Sequence, residues 1–171
     1  MSIQSVREAQ ENLAKAIAQD SAKAYSKNAP AVAALQQDLK FRVTGPSGEV
    51  IETDMPRGMG GAAAAPGPGW LLRAALASCT GTVIAMRAGM RGIALNTLEV
   101  TVESESNHRG ILGLEEKVSA GLSDMCMRVK IGAAGVGADA LRDLVQWGDI
   151  HSPVGCTLRE APDVRLDVEV V

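Results

Sequence analysis

Aromatic side chains are nearly missing from this chain of 171 residues: two Trp, one Tyr and one Phe, 2% of the total. Proteins that hold single-stranded nucleic acid stack its bases on aromatic faces, and a net charge of −3 offers no positive footprint for a phosphate backbone. Both observations argue against nucleic acid as a partner, and they leave the core to Ala, Val, Leu, Ile and Met. Cysteine is scarce as well. Cys79, Cys126 and Cys156 are the three, with no Cys-x-x-Cys among them, so neither a disulfide scaffold nor a thiolate zinc site is indicated. His151 and Cys156 form a single pair without two further ligands at a recognisable spacing. Gly58, Gly60 and Gly61 are followed by no Gly-Lys-Ser/Thr, and neither a strand-to-helix Gly-x-Gly-x-x-Gly nor a Gly-x-Ser-x-Gly elbow occurs. No cofactor or metal is expected. Met1-Ser2-Ile3-Gln4-Ser5 lacks the basic and apolar regions of a secretory signal. With reduced thiols, the cytoplasm is the expected compartment.

What is present is a long apolar run. With 46% hydrophobic and 22% charged residues the chain can bury a sizeable core. From Leu71 to Met86 it contains no proline and few polar groups, most of them small. Arg73 and Arg87 cut the run below the roughly 20 apolar residues of a membrane span. A helix apolar all round is expected to be buried all round, in a large core or against a partner chain. Ala74, Ala75, Ala77, Ser78 and Gly81 would admit a second backbone closely. Cys79 lies near its middle.

Around this helix the pattern changes repeatedly. Ser5 and Glu8 fit a capping box, and Val6, Ala9, Leu13 and Ile17 recur at helical spacing, predicting an amphipathic helix to about Lys23. Asn28-Ala29-Pro30 breaks it. Leu39, Phe41 and Val43 alternate with polar residues, Gly45-Pro46-Ser47-Gly48 is a turn, and Glu49 to Asp54 returns as the second strand of a hairpin. A Gly/Pro-rich connection follows, and the cysteine helix ends near Gly89 to Gly92. Strand patterns come next at Leu98–Glu103, Lys117–Leu122 and Met125–Ile131, with Asn107 to Gly110 as a turn. A helix is expected over Ala138–Ile150 and a helical turn from Pro153 to Leu158. A terminal strand is expected where Val164, Leu166, Val168 and Val170 alternate with charged residues. Strands arrive in runs rather than one by one between helices, which favours α+β with a largely antiparallel sheet. Residues 1–37 read as an N-terminal helical extension and 38–171 as the main domain.

Two readings stand at each candidate residue. Cys79 is either a small apolar filler, as buried cysteines often are, or a nucleophile activated by a nearby cation. Arg57, the lone arginine of the connection, is either a solvated charge or that cation. Cys156 is either filler or a second thiol able to resolve a sulfenic acid on Cys79. Cys126, on a strand between two methionines, reads as structural, and His108 as solvated.

Gly60-Gly61, Pro68 and Leu71-Leu72-Arg73-Ala74-Ala75-Leu76-Ala77-Ser78-Cys79, with Ser152-Pro153-Val154 and Thr157-Leu158, resemble the OsmC/Ohr family of thiol-dependent organic hydroperoxide reductases. The resemblance covers roughly residues 38–171. It implies an α+β intertwined homodimer with antiparallel sheets around long central helices and sites at the subunit interface. It also implies a cysteine at Cys79 that attacks a small organic hydroperoxide, a second cysteine that resolves it, and a dithiol reductant of dihydrolipoyl type. Cys79 matches the attacking position, Cys156 is offered as the resolving thiol and Arg57 as the orienting arginine. Two positions depart from the family: Ser152 stands where its peroxidases have a cysteine, and Gly69 where they have a glutamate. The competing implication is a non-catalytic dimer binding a small apolar ligand at the interface.

Overall fold

Proline and glycine punctuate the computed structural model, which describes residues 3–171. Helix α1 spans Ile3–Gln19 and is followed by a 3-10 turn, Ser21–Ala24, capped by the Asp20 carboxylate on the Ala22 N–H. Strands β1 (Val32–Gln37), β2 (Lys40–Thr44) and β3 (Val50–Thr53) come next, then a 3-10 turn at Arg57–Met59. Helix α2 runs Pro68–Met90, β4 Leu95–Glu105, α3 His108–Ile111, β5 Ser123–Ala133, α4 Ala138–Ile150 and α5 Pro153–Arg159. The class is α+β, as expected. Pro68 and Pro153 each open a helix, where a missing N–H costs nothing. Gly92, at φ 68°, closes α2 with the left-handed residue that helix ends favour.

The chain divides into two compact units. The first comprises the described residues to Arg7, Ala75–Thr101 and Met127–Val171. Ile84, Ala88 and Leu144 are its sealed centre, with Leu98, Val129, Ile131 and Val145 packed around them. Ile84 and Leu144 have no exposed surface, each contributing about 1.5–3 kcal/mol of apolar burial. Gly148 lets α4 meet α2, since a Cβ there would collide with Ile84 Cγ1. Strands β4 and β5 form a two-stranded sheet in the order β4-β5. On β5 the alternation predicted from sequence holds: Met127, Val129 and Ile131 are half-buried, Arg128 and Lys130 exposed.

The second unit comprises Glu8–Ala74 and Val102–Cys126. Its sheet is antiparallel in the order β1-β2-β3. Phe41 faces Thr53 and Val43 faces Ile51 across β2 and β3, the register the Gly45–Gly48 turn imposes. Strand β1 was not expected; Val-Ala-Ala-Leu-Gln-Gln does not alternate, and all six residues are exposed. Asp38, at φ 50°, makes its tight turn into β2, so Leu39 belongs to the turn rather than to the strand.

Three expectations need correction. Helix α1 begins at Ile3, so Ser5 lies inside its first turn instead of capping it. Residues 117–122 form turns and bends, because the chain must tighten around Gly110, whose Cβ position is closed by the Ser119 and Val118 carbonyls. The segment from Val164 to Val170 forms no strand within the chain, and Val164, Leu166, Val168 and Val170 are 75–90% exposed. Alternation defines two faces, yet a strand exists only where another backbone accepts its hydrogen bonds.

Helix α2 also differs from its expectation. Within the single chain it buries one stripe, Leu76, Thr80, Ile84 and Ala88 at intervals of four, while Ala75, Ser78, Thr82 and Met86 are exposed on another. By length and composition α2 is the one described helix that could cross a membrane.

Candidate functional site

Cys79 is a free, half-buried thiol on α2 in the first unit. Its neighbour Thr80 is fully buried and donates its hydroxyl to Ser152 Oγ at 3.1 Å; Ser152 too has no exposed surface. Ser152 is the N-cap of α5, accepting the Gly155 N–H at 3.2 Å, with Pro153 in the first helical position. The pattern Ser-Pro therefore encodes a helix start, and the hydroxyl pair ties that start to α2 beside Cys79. Cys156, one turn into α5, is half-buried and free, its thiol directed to the Ile150 carbonyl at 3.3 Å. The structure thus places Cys79 and Cys156 in one unit, on helices joined by residues adjacent to or one turn from each sulfur. Arg159 Nη1 holds α5 to the end of α4 through the Asp149 carbonyl at 3.1 Å. Trp147 meets two cationic or ionisable partners: the Arg87 guanidinium lies 4.7 Å from its ring centre, and the His151 imidazole stacks on it at 4.0 Å, nearly parallel.

Arg57 belongs to the second unit, exposed on the 3-10 turn between Pro56 and Gly60. Its loop is organised by Asp54, which none of the sequence motifs singles out. Asp54 is 2% exposed. Its carboxylate accepts the N–H groups of Met55 at 2.7 Å, Ala62 at 3.1 Å and Ala64 at 2.9 Å. The Ala64 N–H foremost, with those of Met55 and Ala62 and the charge of Lys40, holds the carboxyl below its ordinary value of 3.8 against the opposing effect of burial. Gly61 fits because it has no side chain: a Cβ would overlap the Met55 carbonyl oxygen. A carboxylate followed by Pro-x-Gly-x-Gly-Gly is the signal in the sequence, since only a folded-back loop delivers several N–H groups to one acceptor.

Beyond this loop lies a cavity of about 600 Å³ at the start of α2, bounded by Met55, Met59, Gly69, Trp70, Arg73, His108, Ile111 and Leu122. Gly69 borders open space; a Cβ there would meet nothing nearer than Leu122 Cδ2 at 3.8 Å and Arg73 Nη1 at 3.9 Å. Arg73 Nη1 donates to Ser104 Oγ at 3.1 Å. His108, expected to be solvated, is exposed and lines this cavity from α3, whose cap is Asn107. Cys126 is exposed on β5. No cluster of three metal-ligating side chains occurs among the described residues.

The mixed fold with its long central helix and the Cys79 and Ser-Pro motifs define the class: the chain belongs to the OsmC family, whose sequence model, described as OsmC-like protein, matches residues 60–167. The family is one of soluble proteins. Among solved structures, the chain is similar to an OsmC-like protein from Mycoplasma pneumoniae, with TM-score 0.67 and 19% identity over 80% of this chain and 91% of that one. It is also similar to an organic hydroperoxide resistance protein OsmC from Legionella pneumophila, with TM-score 0.57 and 21% identity over 85% and 100%. A third likeness is to the organic hydroperoxide resistance protein OhrB of Bacillus subtilis, with TM-score 0.51 and 17% identity over 82% and 98%. Such identities establish the shared fold. No curated protein sequence matches.

Proposed function

We propose that this protein is a cytoplasmic, homodimeric thiol peroxidase that reduces organic hydroperoxides through Cys79 in defence against oxidative stress. The observation that supports it most directly is a half-buried free cysteine on the long helix of an OsmC-family chain, next to a buried hydroxyl that fixes the adjoining helix. In the reaction the Cys79 thiolate attacks the terminal oxygen of ROOH, the O–O bond breaks, and the departing alkoxide takes a proton and leaves as alcohol. The resulting sulfenic acid condenses with a second thiol, from Cys156 or from an external dithiol of dihydrolipoyl type, forming a disulfide and water. Further reductant restores both thiols. The stripe Ala75, Ser78, Thr82 and Met86, left exposed on a largely apolar helix, supports a dimer with α2 at its centre.

A second reading is favoured by Gly69 and Ser152. Gly69 brings no carboxylate to the cavity, and Ser152 is committed to capping α5. On that reading the dimer binds a small apolar ligand without turnover. Cumene hydroperoxide added to the reduced protein distinguishes the two, followed by thiol titration and intact mass. Rapid oxidation that disappears in Cys79→Ser supports the peroxidase, and a Cys79–Cys156 linkage, lost in Cys156→Ser, supports internal resolution. Oxidation of Cys79 no faster than that of free cysteine leaves the binding reading in place.

A further inference from the structure

We propose that the cavity at the start of α2 binds a small organic carboxylate with an apolar body, its charge received by Arg73. The cavity lies wholly in the second unit, and no cysteine lines it, so the proposal does not depend on the thiol chemistry. Its walls are largely apolar, with Met55, Met59, Trp70, Ile111 and Leu122 offering the surface that buries most of a small ligand. The charged or ionisable side chains in the lining are Arg73 and His108, and no carboxylate is among them.

Arg73 is the receiving group for three reasons. Its guanidinium carries five N–H donors, of which Nη1 serves the Ser104 hydroxyl. Among the described residues it makes no ion pair. Gly69 lines the same cavity beside it, and a Cβ there would sit in ordinary contact, 3.8 Å from Leu122 Cδ2 and 3.9 Å from Nη1. A planar carboxylate entering there meets a planar fork of donors, the geometry in which Arg binds in two parallel hydrogen bonds. The apolar tail then lies against Trp70, Leu122 and the two methionines. His108 adds a second donor at the rim. A neutral ligand of the same length would fill the cavity and leave the guanidinium unanswered; a cationic one would be repelled.

The test compares octanoate with octan-1-ol, equal in length and different in charge, by calorimetry and by the fluorescence of Trp70 read in a Trp147→Phe background. Octanoate is expected to bind roughly ten-fold more tightly than the alcohol, as charge-assisted hydrogen bonds imply. Arg73→Gln should remove that preference while leaving alcohol binding in place. Gly69→Glu, which puts a carboxylate in the vacant space without touching Arg73, should weaken octanoate about ten-fold more than octanol. Thermal melts of each variant establish that it is folded. Equal affinity for acid and alcohol in the parent protein, or an unchanged preference in both variants, would overturn the proposal.

Discussion

Two helices of this protein begin with proline, and they begin differently. Helix α5 is sealed: Ser152 caps it, Thr80 bonds the cap, and both hydroxyls are out of solvent. Helix α2 is left more open, with Gly67 supplying its carbonyl to the Trp70 and Leu71 N–H groups and Gly69 lining the cavity with no side chain. The same N-terminal chemistry thus serves two ends. Where the start is saturated by neighbouring hydroxyls, it locks two helices together. Where it is flanked by glycines, the space stays available to something that is not part of the chain. The loop ahead of α2 compensates by being rigid, with three N–H groups gathered on Asp54.

The sharpest way to break this contrast is at the sealed end. Ser152→Ala removes the cap bond and leaves the Thr80 hydroxyl buried without its acceptor, a combined loss of about 2 kcal/mol. Chemical denaturation measures it, and a loss below a few tenths of a kcal/mol would mean that water or another group already satisfies Thr80. The next effect is at Asp54 and depends on pH. Its folded carboxyl titrates below the ordinary 3.8, so its contribution is present above that value and is lost as pH falls through the lower folded one. The parent protein should therefore lose stability in that acid window. Asp54→Asn should be less stable at neutral pH and flatter in acid, a residual slope coming from Glu49, whose carboxyl is also lowered, chiefly by its backbone hydrogen bonds. Denaturant midpoints between about pH 2 and pH 6 give both curves; parallel curves would mean that the Asp54 charge does not hold the loop. The smallest effect is at the open end. Gly69→Ala places a methyl group where nothing lies within 3.8 Å, and should stabilise by roughly 0.5–1 kcal/mol through helix propensity alone.

The same contrast separates what the sequence disclosed from what it hid. Helix α4 was legible end to end, because its apolar stripe, from Leu141 through Leu144 to Gly148, is a local pattern. The start of α5 was legible because proline sets φ wherever it stands. Cys79 could be singled out from its uniformly apolar surroundings, and the family from the motif that holds it. Strand β1 was hidden because its pairing with β2, and no alternation of its own, makes it a strand. The terminal segment fails in the opposite way: it alternates perfectly, yet no backbone among the described residues pairs with it. Asp54 looked like the end of a hairpin. Its acceptor role depends on N–H groups up to ten residues away, and their arrival follows from the path of a glycine-rich loop. The grouping of His108 with Gly69 and Arg73 around one cavity was hidden for the same reason, since His108 comes from a separate stretch of chain.

Cys126 gives the molecule a storage chemistry of its own. It is the exposed member of the three thiols, so it is expected to react first with alkylating reagents and to be the thiol through which air oxidation would join two chains. A covalent pair made that way has nearly the mass of a non-covalent homodimer and would imitate it in size-exclusion chromatography. Thiol counts and subunit stoichiometry are therefore cleanest in a Cys126→Ser background, where every remaining thiol signal belongs to Cys79 or Cys156.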